Sequence, residues 1–348
     1  MKLLNLIEKM SFDDVKLLLT VEPYNLIIKE DKSHPTLYMI TYVRGKSNLD
    51  NEIVKLCRGI VLEKGTNQIV CYSFNMSADK LEVLDNTSTS QEVSYDGTQI
   101  KLFHYNNEWI HSTTRCIDAR NSNWDNDKTF YDLFMDCEKI NYERLNKNHC
   151  YSFVMCHPLN KIVVKYDTPF IVHVLTRDMI TFEEVNEDIG VMKPALIGKT
   201  EENGLPLVEG LMLRDKNNNR FKIETELYKK VKDIRGNNNN KFYRYLQLKC
   251  GNQINEYLQY FPEQYPLYYM YDLEVSNLAQ EIRRYYINRH INKSPEEIPK
   301  NFKKIIYNLH GRFIRTHDIT TLNIVLEELL KLHPSQIHTL YTTFKTLS

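Results

Sequence analysis

The sequence lacks several features that would assign the chain to a class at once. Its 45 Lys and Arg residues balance 45 Asp and Glu residues, which excludes a generally polycationic coat. No apolar run is long enough to cross a membrane, and the first residues, MKLLNLIEKMSFDDVKLLL, contain charges that predict an amphipathic helix and no signal peptide. These absences predict a soluble, intracellular protein without membrane contact.

The sequence also lacks the short motifs of several enzyme classes and of metal sites. The patterns GxxxxGKS, GxxxxGKT, HExxH and GxSxG do not occur. Seven cysteines form an odd set without a CxxC pair, which favours reduced thiols over a disulfide framework or a zinc site. We therefore expect no metal site and a cytoplasmic protein, in a host cell or a virion if the source is viral.

Short apolar alternations separated by turn residues fill most of the sequence from about residue 22 to residue 225. This pattern predicts a hairpin-rich, antiparallel α+β region. The predicted strands are YNLIIKE, TLYMITYV, RGIVLEK, QIVCYSF, QIKLFHY, IVVKYD, FIVHVLT, GLMLRD and RFKIET. The predicted turns are Lys64-Gly65-Thr66, Asp96-Gly97, Tyr105-Asn106-Asn107 and residues 216–219, and one helical insert is predicted near residues 127–147.

After Tyr228 the pattern changes to helix, with apolar residues recurring at helical spacing. The two clearest stripes are Phe302, Ile305, Ile306, Leu309 and Phe313, and Leu322, Val325, Leu326, Leu329 and Leu330. The polar run 237–240 predicts a loop just after the change. We place the boundary within residues 226–240, which predicts domains at 1–228 and 229–348.

Positive charge is concentrated in the helical part of the sequence. Residues 229–316 contain sixteen Lys and Arg against eight Asp and Glu, although the whole chain is neutral. Cations beside aromatic rings favour single-stranded RNA, through phosphate attraction and base stacking. The alternative is a solvated helix face whose tyrosines belong to the core. The candidate RNA-binding residues are Lys241, Arg244, Arg283, Arg284, Tyr285 and Tyr286.

Five segments, in order, resemble motifs of the T4 RNA ligase 1 family of covalent nucleotidyltransferases. They are LCRGIV (56–61), CYSFN (71–75), SYDGT (94–98), YSFV with PLNKIV (151–154 and 158–163), and EGLM with FKIE (209–212 and 221–224). The resemblance spans about residues 50–230. It implies an antiparallel-sheet nucleotidyltransferase domain of the ATP-grasp-like ligase type, followed by an all-helical C-terminal domain.

The resemblance also implies a chemistry whose requirements can be compared with this sequence. In such ligases a lysine of a KxDG element attacks the α-phosphate of ATP, and AMP then passes to an RNA 5′-phosphate. The reaction needs an amine with a lowered pKa, a divalent metal such as Mg²⁺ held by carboxylates, and cations around the phosphates.

Four positions that handle nucleotide in that family differ here. Ser94 stands at the lysine nucleophile, Ser152 at the glutamate of the FEFV-type strand, Tyr72 at an upstream lysine, and Glu224 at the second lysine of the last motif. A serine without a neighbouring histidine does not replace the lysine, and a carboxylate beside a triphosphate repels it. Lys222 and Glu224 lie on one face of a strand and can also pair with each other.

The rest of the motif frame is retained. The candidate remnants of the nucleotide pocket are Arg58, Asp96, Gly97, Phe153, Glu209 and Lys222. Asp96-Gly97 also fits an ordinary hairpin turn, and an ion pair of Arg58 or Glu209 also explains those two residues. These changes predict a pseudoenzyme without catalytic residues or cofactors. ATP and Mg²⁺ enter only under the alternative of an active ligase, with Lys80 or Lys101 as nucleophile, although each is more simply a solvated strand-end charge.

Two noncatalytic roles follow from the sequence. One is an RNA-binding module that recognises an RNA end or a structured RNA such as tRNA, and the other is a docking subunit of a larger protein complex. Salt-dependent RNA binding favours the first role, and a stable complex without RNA favours the second. The usage of Asn, Lys, Ile and Tyr resembles that of AT-rich genomes, which include large DNA viruses and phages.

Overall fold

A computed structural model describes residues 1–77, 90–124, 127–137, 139–196, 209–215, 219–238 and 240–347. The chain divides into two compact units, Met1–Lys229 and Lys230–Ser348. The first unit combines helices with antiparallel strands. In the described residues of the second unit, the regular secondary structure consists of helices joined by loops. The α+β class with a helical C-terminal region is therefore confirmed. The predicted boundary at 228/229 falls inside the helix Glu226–Arg235.

The first unit begins with two helices and then alternates short strands with a few short helices. Its helices are α1 (Lys2–Ile7), α2 (Phe12–Thr20), α3 (Glu52–Leu56), α4 (Phe130–Cys137) and the start of α5 (Glu226–Arg235). Its strands are β1 (Ile27–Glu30), β2 (Leu37–Thr41), β3 (Arg58–Glu63), β4 (Ile69–Cys71), β5 (Ser90–Ser94), β6 (Thr98–Tyr105), β7 (Glu108–Ser112), β8 (His149–Cys156), β9 (Phe170–Asp178), β10 (Glu184–Val185), β11 (Gly210–Arg214) and β12 (Arg220–Glu224).

These strands form three antiparallel sheets among the described residues. Their orders are β1-β2-β3-β4, β10-β9-β8-β6-β7 and β12-β11-β5. The hairpin of β6 and β7 turns at Asn106 and Asn107, which have φ of 48° and 65°. Two successive left-handed residues are typical of a type I′ turn, so this predicted turn is confirmed.

The Asp96-Gly97 turn does not close a hairpin, and this prediction is wrong. β5 pairs with β11, whereas β6 pairs with β7 and β8, so the chain passes from one sheet to another at this dipeptide. A Cβ atom at Gly97 would collide with the carbonyl oxygen of Met155. Glycine is therefore required here by the close approach of two backbones.

The carboxylate of Asp96 fixes this crossing point from inside the protein. Oδ2 accepts hydrogen bonds of 2.7 Å from the backbone N–H groups of Val163 and Val164, and Oδ1 accepts one of 2.8 Å from the Tyr228 hydroxyl. Burial raises the pKa of Asp96, while the two N–H donors oppose that shift. Residues 162–167, predicted as a strand, form none because these N–H groups bind a side chain instead.

Two sequence-based helix predictions need correction. The N-terminal helix is divided into α1 and α2, because the Ser11 hydroxyl accepts from the Asp14 N–H at 3.2 Å and starts a new helix. The insert near 127–147 contains only α4, followed by a 3-10 turn at Tyr142–Arg144 that the Asn141 side chain caps. Predicted turn residues 216–218 and Asn239 of the predicted loop lie outside the described residues.

The second unit buries aromatic rings between its helices. These are α6 (Lys241–Cys250), α7 (Ile254–Tyr260), α8 (Tyr265–His290), α9 (Lys303–Thr316), α10 (Leu322–Leu330) and α11 (Pro334–Leu347). Both predicted stripes supply core residues, including Ile305, Leu309, Val325 and Leu329.

None of the helices in the described ranges has the length and apolar character that a membrane span requires.

We predict that replacing Asp96 destabilises the first unit. Asp96→Ala removes an acceptor from three donors, so the free energy of unfolding should fall by about 3 kcal/mol or more, and Asp96→Asn should lose about half as much. Chemical denaturation measures both values. The exposed Asp50→Ala is the matched control and should stay within about 0.5 kcal/mol of the wild type. A wild-type value for Asp96→Ala would contradict this structural role.

Candidate functional site

The serine at the nucleophile position is held by a hydrogen bond to a carboxylate. Ser94 lies at the end of β5, and its hydroxyl donates to Glu209 Oε2 at 2.6 Å. Lys222 on β12 donates to the other oxygen, Oε1, at 2.6 Å. The register of the sheet pairs Ser94 with Gly210 and Lys222 with Met212, and Glu209 directly precedes β11. The ion pair that Lys222 forms is with Glu209.

This arrangement does not fit an ATP–Mg²⁺ site of the kind that the resemblance implies. Both oxygens of Glu209 are engaged by Ser94 and Lys222, and the ammonium group neutralises the carboxylate. Glu224 lies opposite Gly210 at the end of β12 and adds a negative charge where the family has a cation.

Ser152 is fully buried and belongs to a small polar network. The Ser152 hydroxyl donates to Ser73 Oγ at 2.7 Å. Ser73 Oγ also accepts a hydrogen bond of 2.8 Å from Gln99 Nε2. The neighbouring Phe153 is also fully buried, and its ring centroid is 5.6 Å from that of Phe134. Ser152 therefore satisfies a buried polar contact, and Phe153 packs in the core.

Tyr72 is also buried, and it packs against an arginine. Burial raises its pKa, and the guanidinium of Arg177 lies 4.6 Å from the ring centroid. Arg177 is itself buried, and its Nε donates to the Ser73 carbonyl at 2.6 Å. The tyrosine therefore packs against an arginine at a position where the resembled family has a lysine.

Arg58 stacks on an aromatic ring that it shares with a second arginine. The guanidinium carbons of Arg58 and Arg220 lie 4.8 Å and 4.9 Å from the centroid of Phe74. Burial lowers the pKa of Arg58, while the charges of Tyr42 and Glu209 oppose that shift. The negative charge of Glu209 therefore acts on the Arg58 guanidinium, which packs on the ring of Phe74.

A cluster of arginines around Glu184 carried no sequence signal. Arg177 Nη2 and Arg220 Nη1 donate to Oε1 at 3.1 Å and 2.9 Å, and Arg220 Nη2 and Arg214 donate to Oε2. The four residues come from β9, β10, β11 and β12, which are separated along the chain. Only the sheet topology brings them together, so no motif could have identified them.

Of the two alternative nucleophiles, Lys101 is described and its exposure was mispredicted. The side chain is 1% exposed, and Nζ donates to the carbonyl oxygen of Gly59. Lys101 is therefore a buried lysine of β6 rather than a solvated strand-end charge. Lys80 lies outside the described residues.

Five of the six candidate RNA-binding residues have structural roles in the second unit. Tyr285 and Tyr286 are 7% and 3% exposed, so neither ring presents a face to a base. Arg283 Nε donates to the Thr320 carbonyl at 2.9 Å. Arg284 forms ion pairs of 2.8 Å with Glu281 and Glu296.

Arg244 caps the preceding helix. Its guanidinium donates to the carbonyl oxygens of Asp233, Ile234 and Arg235 at the C-terminal end of α5. Lys241 is exposed at the start of α6 and keeps its place as a candidate cation. The interleaving of cations and tyrosines does not distinguish core tyrosines from exposed ones, and Tyr285 and Tyr286 belong to the core.

The comparisons with known proteins identify one distant viral relative. No protein-family model matches the chain. The "Immediate-early protein ICP-46 homolog" of Invertebrate iridescent virus 6 is 23% identical over 288 residues, covering 67% of this chain and 63% of the viral protein. The chain thus spans less than two thirds of the length of that relative.

Similar solved structures include two forms of an archaeal ATP-dependent RNA ligase. Form 1 has a TM-score of 0.46 at 10% identity and covers 70% of this chain and 67% of the ligase chain. Form 2 has a TM-score of 0.48 at 9% identity and covers 68% of this chain and 66% of the ligase chain.

We predict measurable coupling between Lys222 and Glu209. A double-mutant cycle with Lys222→Met and Glu209→Gln should give a coupling energy of about 1 kcal/mol, because the carboxylate is nearly buried. The control is the exposed pair Lys229–Glu226, which has a similar distance of 2.7 Å. Its coupling should be below about 0.5 kcal/mol. Equal coupling energies would show that the Glu209 contact is an ordinary surface pair.

Proposed function

We propose that this protein is a noncatalytic, RNA-ligase-like protein that binds RNA, alone or within a larger complex. The contact between Ser94 and Glu209 carries the proposal. The Ser94 hydroxyl, which stands at the nucleophile position, donates to a carboxylate that Lys222 neutralises. The match to a viral protein agrees with the residue usage and favours a viral source.

The chemistry of Ser94 supports the loss of adenylyl transfer. A serine hydroxyl needs a general base to become a nucleophile, and a carboxylate paired with an ammonium group is a weak base. An adenylated serine would be a phosphate ester with an alkoxide leaving group, whereas an adenylated lysine leaves as an amine. The side chain at this position is therefore suited neither to forming the intermediate nor to releasing it.

The surroundings of Ser94 support the same conclusion. Tyr72 packs against Arg177, Ser152 binds Ser73, and Lys101 is buried beneath the Gly59 carbonyl. Restoring one amine at Ser94 would leave these neighbours unchanged. Arg177 and Arg220 donate to the Glu184 carboxylate and are buried, so they serve the packing of the unit.

The excess of positive charge in residues 229–316 supports RNA as the partner. Sixteen cations face eight acids in a chain that is neutral overall, so the long-range field of the second unit attracts polyanions. Arg284 and Arg312 are neutralised by acids within the unit. Exposed lysines remain on the same unit and are available to phosphates.

We predict no covalent adenylylation of this protein. Incubation with radiolabelled ATP and Mg²⁺, followed by denaturing gel electrophoresis, should show no protein–AMP adduct, whereas an active ATP-dependent RNA ligase in the same assay should be labelled. Ser94→Lys alone should remain unlabelled because Tyr72, Ser152 and Glu224 are unchanged. Labelling of the wild-type chain would overturn the proposal.

A fourfold variant separates loss of chemistry from loss of fold. Tyr72→Lys, Ser94→Lys, Ser152→Glu and Glu224→Lys together restore the residue types that the family has at these positions. Labelling of this variant, but not of Ser94→Lys, would show that the four changes account for the missing activity. Robust labelling of Ser94→Lys alone would show that the other three positions matter little.

A further inference from the structure

A group of exposed cations lies where α8 ends and α9 begins. Arg289 and Lys293 lie at the end of α8 and just after it. Lys300 opens the 3-10 turn Lys300–Phe302 that leads into α9, and Lys303 and Lys304 are the first two residues of α9. All five are exposed, and none forms an ion pair within the described part of the second unit. They differ in this respect from Arg284 and Arg312, whose charges are neutralised by neighbouring acids.

The position of the lysines on α9 is electrostatically unfavourable without an anion. The first turn of this helix contains no acidic residue, and no side chain caps its N-terminus. Because a helix N-terminus carries partial positive charge, Lys303 and Lys304 add like charge to it. A phosphate at this end would relieve the repulsion between the helix terminus and its lysines.

An exposed tyrosine lies on the same face of α9. Tyr307 is 68% exposed and follows Lys300, Lys303 and Lys304 by seven, four and three residues. The spacings of four and three residues place Lys303 and Lys304 beside the Tyr307 ring on one side of α9, and Lys300 lies in the 3-10 turn immediately before them. The arrangement expected earlier for Tyr285 and Tyr286, a free aromatic face among cations, is thus found at Tyr307.

A half-open groove adjoins this face. Its volume is about 190 Å³, and Lys304 lies at its edge. Ile305, Leu332 and Leu340 form an apolar floor, while Asn301 and Gln336 provide amide groups on the lining. The groove is smaller than a typical small-molecule site, so it suits one planar ring with polar edges rather than a whole ligand.

We propose that the α9 face binds single-stranded RNA. Backbone phosphates bind Lys300, Lys303 and Lys304, one base stacks on Tyr307, and a neighbouring base enters the groove beside Lys304. This inference rests on the proposed function and names the surface that carries it. An acidic polypeptide would use the lysines but would leave the exposed ring and the groove without a role.

Fluorescence anisotropy with a labelled single-stranded RNA 12-mer, measured on the full chain over a range of salt, tests the proposal. The triple variant Lys300→Gln, Lys303→Gln, Lys304→Gln should bind roughly tenfold more weakly or worse. Its slope of log K against log salt should be smaller by about 2, because each lost phosphate contact removes about 0.7. The control triple variant Lys9→Gln, Lys32→Gln, Lys46→Gln changes three exposed lysines of the first unit and should keep both values.

Variants of Tyr307 test stacking separately from charge. Tyr307→Ala should weaken binding about tenfold with an unchanged salt slope, because one base loses its stacking surface. Tyr307→Phe should bind like the wild type, since the ring is retained. Because Tyr307 is exposed, circular dichroism should show wild-type helix content for both variants.

The outcomes distinguish the two proposals. If the wild-type chain binds no RNA at low salt, the proposed function itself fails. If it binds RNA and the α9 variants behave like the control, RNA binds elsewhere and only this inference is overturned. If polyaspartate displaces RNA and binds Tyr307→Ala as tightly as the wild type, the face recognises acidic polypeptide instead.

Discussion

The paired carboxylate of Glu209 is the interaction on which the functional account of the first unit depends. It joins the end of β5 to β12 by binding Ser94 and Lys222 through separate oxygens. A ligase-type site would leave such a carboxylate free for a metal ion and would place an amine at Ser94. Here Ser94, Glu209 and Lys222 bind each other, and this contact supports the proposal that the protein is noncatalytic.

Charge is distributed differently in the two units. In the first unit, arginines donate to the Glu184 carboxylate. The guanidinium carbons of Arg58 and Arg220 lie 4.8 Å and 4.9 Å from the centroid of the Phe74 ring. Such cations contribute to packing within the unit. In the second, Lys300, Lys303 and Lys304 are exposed beside Tyr307. The first group therefore has structural roles, and the second is the one that we propose binds RNA.

Local patterns predicted most elements that depend on local physics. Apolar alternation identified β6, β9, β11 and β12, and helical spacing identified the buried faces of α9 and α10. Predictions failed where a distant partner decides the outcome. Residues 162–167 alternate like a strand, yet their N–H groups bind Asp96, which is more than sixty residues away.

The same distinction holds for the site. The motif frame singled out Ser94, Glu209 and Lys222 from distant parts of the sequence, and in the structure their side chains are in contact. It could not show the arginines around Glu184, which only topology brings together. Composition indicated a basic helical region, but burial decides which tyrosines face solvent. Tyr285 and Tyr286 lie in the core and Tyr307 outside it, a difference that sequence interleaving does not contain.

Isothermal titration calorimetry of the wild-type chain with ATP and Mg²⁺ tests the central claim most directly. Because Lys222 is paired with Glu209, and Tyr72, Ser94 and Glu224 replace three family amines, the account predicts no binding tighter than about 1 mM, or roughly −4 kcal/mol. A dissociation constant in the micromolar range would contradict it and would show that the remaining frame still forms a nucleotide site.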